Sequence, residues 1–219
     1  MEKDINIAIV GGTGSLGSAL ALRLVAPGVR VIIGSRDREK ARTVVESLRK
    51  ILGKGSLEGE TNQEAVQEAE FVVIAVPYGG HATTIAQLKG QLAGKTVIDA
   101  VVPLKKGRPF VPLAGSALME AQEILGDEAP VIGALHNISA VDLQSPDASL
   151  GDILVCGDND AAKQKVMEII HKIGARTFDA GPAANGYVIE GLTGVLIYLN
   201  RKYKSKHASV KVTGIGDHK

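Results

Sequence analysis

The chain has 219 residues, 45% of them hydrophobic and 22% charged, and its 25 Lys and Arg against 24 Asp and Glu give a formal net charge of +1. That length supports one doubly wound domain with a small appendage, and the balanced charge gives no global attraction to nucleic acid or to an anionic membrane. The single cysteine, Cys156, excludes an internal disulfide and a multi-cysteine metal site, and its place in Ile153-Leu154-Val155-Cys156 assigns it to the core.

Residues 5–10 read as a strand directly after the charged start Met1-Glu2-Lys3-Asp4, so no signal peptide is expected and a cytoplasmic location follows. The strand runs into Gly12-Thr13-Gly14-Ser15-Leu16-Gly17 and then into a helical run over 18–25, and a second apolar strand over 29–33 completes the spacing of a βαβ unit. In that context the glycines form a dinucleotide fingerprint. Gly12 permits the turn, Gly14 lets the backbone approach a pyrophosphate, Gly17 lets helix and strand pack closely, and the helix start offers free N–H groups to phosphate.

The end of the second strand selects the dinucleotide. An NAD site places Asp or Glu there to accept from the ribose 2′-hydroxyl. This chain reads Gly34-Ser35-Arg36-Asp37-Arg38-Glu39-Lys40. The Ser35 hydroxyl can donate to a 2′-phosphate, the Arg36 guanidinium can pair with it, and Lys40, one helical turn on, adds a second cation. NADP is therefore favoured. A register slip of one position would put Asp37 at the strand tip and restore an NAD reading, and Arg38 reads as part of an ordinary solvated helix start.

Strand-like and helix-like segments then alternate with no repeat and no linker, which predicts continuous βα winding and a parallel sheet. A helix over 38–51 is followed by a Gly-rich loop and a short helix over 62–70. Residues 71–76 are a continuous apolar run, as expected of a strand covered on both faces, and Pro77 ends it before a loop over 78–81. Strands over 96–99 and 131–135 end in Val101-Val102-Pro103-Leu104 and His136-Asn137-Ile138, so loops of one kind meet at one sheet edge, where ligands bind in such sheets. Further strands are expected over 153–156 and 176–178. Beyond residue 181 there is room only for one long helix and a tail, and the apolar stretch 187–199 carries Glu190 and is too short to span a bilayer. Apolar surface on that helix points to a homodimer. The expected organisation is a Rossmann-type domain over 1–182 and a small C-terminal helical cap over 183–219, too small to form the large helical substrate domain of hydroxyacid dehydrogenases or pyrroline carboxylate reductases.

Along essentially its whole length the chain resembles the NADPH-dependent coenzyme F420 reductases, on Gly11-Gly12-Thr13-Gly14-Ser15-Leu16-Gly17, Gly34-Ser35-Arg36, Val102-Pro103, Leu135-His136-Asn137-Ile138, Cys156-Gly157-Asp158 and Asp179-Ala180-Gly181-Pro182. The resemblance implies that Thr13, Gly14, Ser15 and Leu16 hold the pyrophosphate and that Ser35, Arg36 and Lys40 hold the 2′-phosphate. It further implies that Val76, His81, Val102 and Ala140 line the rest of the NADP site, that His136 and Ile138 border the nicotinamide, and that the segment near Ala208 closes over the deazaflavin. The loop Pro77-Tyr78-Gly79-Gly80-His81 is one residue longer than a common family form, which leaves Gly80 as an alternative to His81, and the tail matches loosely. The implied reaction is hydride transfer between the deazaflavin of coenzyme F420 and NADP(H), with no metal. The basic run Arg201-Lys202-Tyr203-Lys204-Ser205-Lys206-His207 would attract the anionic tail of the deazaflavin or else serve as a solvated helix end. Two other readings are an NADPH-dependent reductase of a flavin or ferric complex and a non-enzymic NADP(H) sensor.

Overall fold

A computed structural model of the chain describes residues 5–26, 28–53, 55–145 and 148–215. In chain order β1 (Ile5–Val10), α1 (Ser15–Leu24), β2 (Val29–Ser35), α2 (Arg38–Leu52), β3 (Ser56–Thr61), α3 (Asn62–Glu68) and β4 (Phe71–Ile74) form the first half. There follow α4 (His81–Leu92), β5 (Thr96–Asp99), a small hairpin of β6 (Leu104–Lys105) and β7 (Arg108–Pro109), α5 (Ala117–Leu125), β8 (Val131–Gly133) and α6 (Ala140–Leu143). The chain closes with β9 (Asp152–Val155), α7 (Asp160–Lys172), β10 (Arg176–Asp179) and α8 (Gly186–Lys202).

The main sheet has six strands in the order β3-β2-β1-β4-β5-β8. Every pairing in it is parallel, with Ile7 opposite Val31 on one side and Phe71 on the other. The order reverses at β1, so α1 and α2 cover one face while α3, α4 and α5 cover the other. Strands buried on both faces must be apolar throughout, and Ile7, Ala8, Ile9 and Val10 are fully buried. The helices start where side chains satisfy their first N–H groups. Asp37 accepts from Glu39 and Lys40 at α2, Thr61 and Glu64 form a capping box at α3, Ser116 accepts from Met119 at α5, and Asn159 accepts from Ala162 at α7.

The doubly wound parallel fold matches the sequence reading, and three local expectations change. The Gly-rich loop after α2 holds the edge strand β3, whose pattern is polar because Leu57 alone among its large side chains enters the core. Its acidic residues are paired with neighbouring elements instead, Glu58 with Arg30 on β2 and Glu60 with Arg38 at the start of α2. Second, β9 and β10 form their own parallel pair and join the main sheet through a single antiparallel bridge, Gly133 to Cys156, so the winding does not continue past β8. Third, α1 begins at Ser15, three residues ahead of the predicted run, because Gly14 already serves as its N-cap. Cys156 is fully buried, and desolvation pushes its thiol up to about 12.

Gly59 is the point at which α2 rests on β3, and a Cβ there would lie 2.7 Å from the Ala41 carbonyl carbon and 2.8 Å from the Arg42 nitrogen. Because the clash is with backbone, Gly59→Ala should destabilise the protein by about 1–3 kcal/mol. Urea unfolding should read this as a lower midpoint at unchanged slope.

Candidate active site

The turn after β1 is built by glycines that leave no room for a side chain. Gly11 adopts φ +77°, and a Cβ on it would lie 2.8 Å from the Ala75 carbonyl oxygen on the neighbouring strand's exit. Gly12, assigned the turn from sequence, has ordinary φ but is pinned by Ile9, whose carbonyl oxygen would be 2.8 Å away, so the left-handed residue of the turn is Gly11. Gly17 packs against Gly12 so closely that a Cβ on it would lie 2.6 Å from the Gly12 Cα, too near for any side chain. Gly14 differs from all of these: its nearest neighbour is 3.4 Å away, and it is exposed at the start of α1. There no side chain caps the helix, so its first N–H groups point outward beside exposed Ser15 and half-buried Leu16.

A cleft of about 450 Å³ opens at this turn, between the carboxyl ends of β1, β2 and β4. Gly11, Thr13 and Gly14 floor it, Ala75, Val76 and Pro77 form one wall, and Ser35, Arg36 and Lys40 stand at the far end. Strand β2 ends at Ser35, and Asp37 caps α2 with its carboxylate, so no acid occupies the strand tip. Ser35 accepts from the Asp37 N–H at 3.2 Å, which leaves its hydroxyl hydrogen free to donate. Arg36 and Lys40 are exposed and have no acidic partner among the described residues. Arg38, by contrast, is tied to Glu60 at 3.0 Å and to Glu64, whose carboxyl it holds down at about 2. Asp37 also lines the cleft, with one carboxylate oxygen engaged by the Glu39 and Lys40 N–H groups at the start of α2. Asn62 also lines the cleft, and its buried Oδ1 has no partner.

His81 does not line this cleft. Its ring is fully buried and turned away, Nε2 lying 2.7 Å from Asp99 Oδ2 and Nδ1 3.0 Å from Glu120 Oε2, while Gly80 beside it lines the cleft. Two carboxylates outcompete a surface position for this imidazole, and although burial pulls its pKa down, they hold it up at about 9.

Val102 lines a second, smaller cavity of about 170 Å³ with Pro103, Phe110, Tyr187, Glu190 and Gly191. Glu190 is buried on α8, and its two oxygens accept from the Ala117 and Leu118 N–H groups at 3.0 Å each, which docks α8 onto the start of α5. Burial pushes its carboxyl up to about 7 against the pull of those N–H groups.

The loop after β8 carries the strongest local tension. Leu135 sits at φ +69°, a left-handed conformation that branched side chains rarely adopt. His136 follows, buried, with neither ring nitrogen partnered, and desolvation lowers its pKa to about 4, so the ring is neutral at pH 7. Its carbonyl is held by the Thr193 hydroxyl of α8 at 2.8 Å. Ile138 and Ala140 are half-buried against the core, and the tail crosses beside them. Ser139 donates to the Lys206 carbonyl at 2.8 Å, His207 contacts the Asp142 carboxylate, and the Ala208 N–H donates to Asn200 at 3.0 Å. Farther along, Val212 N–H donates to Asp152 at 2.6 Å.

Of the residues singled out from sequence, Thr13, Gly14, Ser35, Arg36, Lys40 and Val76 therefore share one cleft, and Val102 lines a separate cavity. His136, Ile138, Ala140 and Ala208 group along the loop and tail and line neither. Sequence reasoning missed Asn62, Thr84, Asp99 and Glu120. Asp99 alone carried a signal, a charged residue closing an apolar strand at the carboxyl edge.

Residues 6–103 match the family described as NADP oxidoreductase coenzyme F420-dependent. The F420-dependent NADP reductase of Methanocaldococcus jannaschii is 38% identical over 223 residues, covering 96% of this chain and 99% of that protein. The chain belongs to the coenzyme F420-dependent NADP oxidoreductase family. A solved structure from Arthrobacter sp. FB24 superposes with a TM-score of 0.80 at 25% identity and covers 95% of this chain and 99% of that one. Metalloreductase STEAP3 of Rattus norvegicus is 29% identical over 182 residues, 83% of this chain but 35% of that protein. Within the family fold, the cleft at the glycine turn lies where the strand order reverses. Among the described residues no helix is long and apolar enough to cross a membrane.

The neutral, unpartnered state of His136 fixes an acid response. Its folded pKa of about 4 lies below the ordinary 6.5, so the unfolded chain takes up the proton first. The stability is intact above pH 6.5 and declines as pH falls toward 4, by on the order of 3 kcal/mol from this group. Thermal unfolding at pH 6.5 and 4.5 should show a smaller acid loss in His136→Leu than in the parent protein.

Proposed function

We propose that this chain catalyses reversible hydride transfer between C5 of the deazaflavin in reduced coenzyme F420 and C4 of the nicotinamide in NADP+. The observation that carries the reading is the dinucleotide cleft of a chain in this family, whose far end offers Ser35, Arg36 and Lys40 with no carboxylate at the strand tip. A 2′-phosphate meets two unpaired cations and a hydroxyl donor there, and those groups would otherwise lack a counterion. The residues fit a pyrophosphate as well, since Gly14 leaves open space before the uncapped start of α1.

When bound, the two ring systems supply the reactive carbon centres, and no enzymic nucleophile or metal is needed. The protein's share is placement. Thr13, Gly14, Ser15 and Leu16 hold the pyrophosphate, and Val76 borders the dinucleotide. Val102, Ile138 and Ala140 keep water from the nicotinamide end, and the neutral His136 offers one ring N–H and one lone pair to a carboxamide or ring carbonyl. The division into a dinucleotide domain over 1–182 and a cap over 183–219 is supported by α8 docking onto α5 through Glu190, and the segment at Ala208 borders the deazaflavin. Exposed Tyr187, Val188, Val195 and Tyr198 lie along α8 and support a homodimer. The absence of a membrane-length helix among the described residues accords with a cytoplasmic location.

Mixing the protein with NADPH and oxidised coenzyme F420 should bleach the deazaflavin's visible absorbance quickly, and NADH should act slowly. Arg36→Ala with Lys40→Ala should raise KM for NADPH about tenfold or more and leave that for NADH nearly unchanged. Loss of bleaching with NADPH, in protein that binds it, would overturn the assigned acceptor. Replacing Lys202, Lys204 and Lys206 by Gln should raise KM for F420 and flatten its salt dependence, whereas an unchanged KM would reject attraction of the anionic tail by the basic run.

A further inference from the structure

Four ionisable side chains from four different elements converge beneath the carboxyl edge of the sheet, and the placement described above uses none of them. His81 opens α4, Asp99 closes β5, Glu120 lies on α5, and Tyr78 stands in the turn after β4. The His81 and Asp99 side chains are fully buried and that of Glu120 is 26% exposed. His81 Nε2 lies 2.7 Å from Asp99 and Nδ1 3.0 Å from Glu120, and the Tyr78 hydroxyl donates to the other Glu120 oxygen at 3.3 Å. Each ring nitrogen faces a carboxylate oxygen, and a carboxylate only accepts, so both nitrogens carry hydrogen and the ring is an imidazolium.

The arms of this cluster reach both candidate ligand spaces. On one side Gly80 precedes His81 and Thr84 lies one turn beyond it, and both line the dinucleotide cleft. On the other, the free Asp99 oxygen accepts from the buried Val101 N–H at 2.8 Å and so fixes the entry to Val102 and Pro103 in the apolar cavity. The Tyr78 ring stacks on His81 with centroids 6.1 Å apart and meets the edge of Phe110 at 5.3 Å, which lines that same cavity.

We propose that His81, held as an imidazolium between Asp99 and Glu120, is a positioning residue for hydride transfer, setting the Val101–Val102–Pro103 segment and the Tyr78–Phe110 wall in fixed relation to the dinucleotide cleft. The proposal rests on the reaction proposed above. Loss of the ring's second proton leaves one buried carboxylate without its donor, and a buried pair broken on one side is strongly destabilising. The wall then relaxes, and small displacements of reacting rings lower the rate steeply. The charged and titratable groups facing the cluster are Asp99 from β5, Glu120 from α5, Tyr78 from the turn and, at longer range, Glu190 from α8. His136 also feels Asp99 but stays neutral.

The sign of the pH dependence follows. The folded pKa of about 9 lies above the ordinary 6.5, so the clamp is intact below pH 6.5 and is lost as pH rises through about 9. The test uses the full-length protein with 15N-labelled histidine rings. At about pH 7 one ring should show two protonated nitrogens in the absence of substrates, with a midpoint near 9. In the F420 reaction, kcat rather than KM for NADPH should fall through that same midpoint, and Glu120→Gln, which keeps an acceptor but removes a charge, should move both midpoints down by about one pH unit or more. A His81 ring with a single proton at about pH 7, or a kcat that stays level while the ring titrates, would overturn the proposal, and the unsubstituted protein alone suffices for both readings. A ring that titrates as expected in protein that never reduces F420 would overturn the reaction reading itself and the positioning role with it, an outcome distinguishable from a level kcat.

Discussion

The parallel pairing of β1 with β2 on one side and β4 on the other is the constraint on which the molecule depends. Parallel strands send every carboxyl end to one edge, and the reversal of strand order at β1 leaves a gap there that neither flanking helix layer fills. Gly11, Gly12 and Gly17 let α1 leave that edge at once, so its free N–H groups arrive at the gap. The loops after β4, β5 and β8 come to the same edge because those strands are neighbours in space. The dinucleotide cleft, the apolar cavity and the His136 loop are consequences of this arrangement.

Much of the fold was legible because burial on both faces forces apolar runs such as Phe71–Ile74 and Ile5–Val10. The edge strand β3 was not legible because its Glu58 and Glu60 are paired with Arg30 and Arg38, and charges paired between elements leave no hydrophobic period in the strand. The separate β9–β10 pair was equally hidden, since an apolar strand reads the same whichever neighbour it joins. At the site, the glycine turn and Ser35-Arg36 could be read locally, as each depends on neighbours within one βαβ unit. Register decided Asp37, which the sequence left ambiguous and which caps α2. The buried pairing of His81 could not be read because its partners, Asp99 and Glu120, lie 18 and 39 residues away along the chain.

The buried polar groups divide into two kinds. Glu190 and His81 are satisfied by donors and acceptors from other elements, and they weld α8 to α5 and α4 to β5. His136 and the Oδ1 atoms of Asn62 and Asn137 have no partner, and such atoms are rare in folded proteins unless a ligand or water completes them. Asn62 lies in the dinucleotide cleft, while His136 and Asn137 follow the strained Leu135. Rigid satisfied networks thus frame the few groups left open.

The tail after α8 is held almost entirely through its main chain: the Lys206 carbonyl, the Ala208 N–H, the Val210 carbonyl and the Val212 N–H make the bonds, to Ser139, Asn200 and Asp152, and His207 alone among these positions contributes a side chain. Main-chain groups are common to every residue except proline. The strap's hold on the core therefore depends little on which side chains it carries, whereas a gain or loss of one residue would put every one of these bonds out of step.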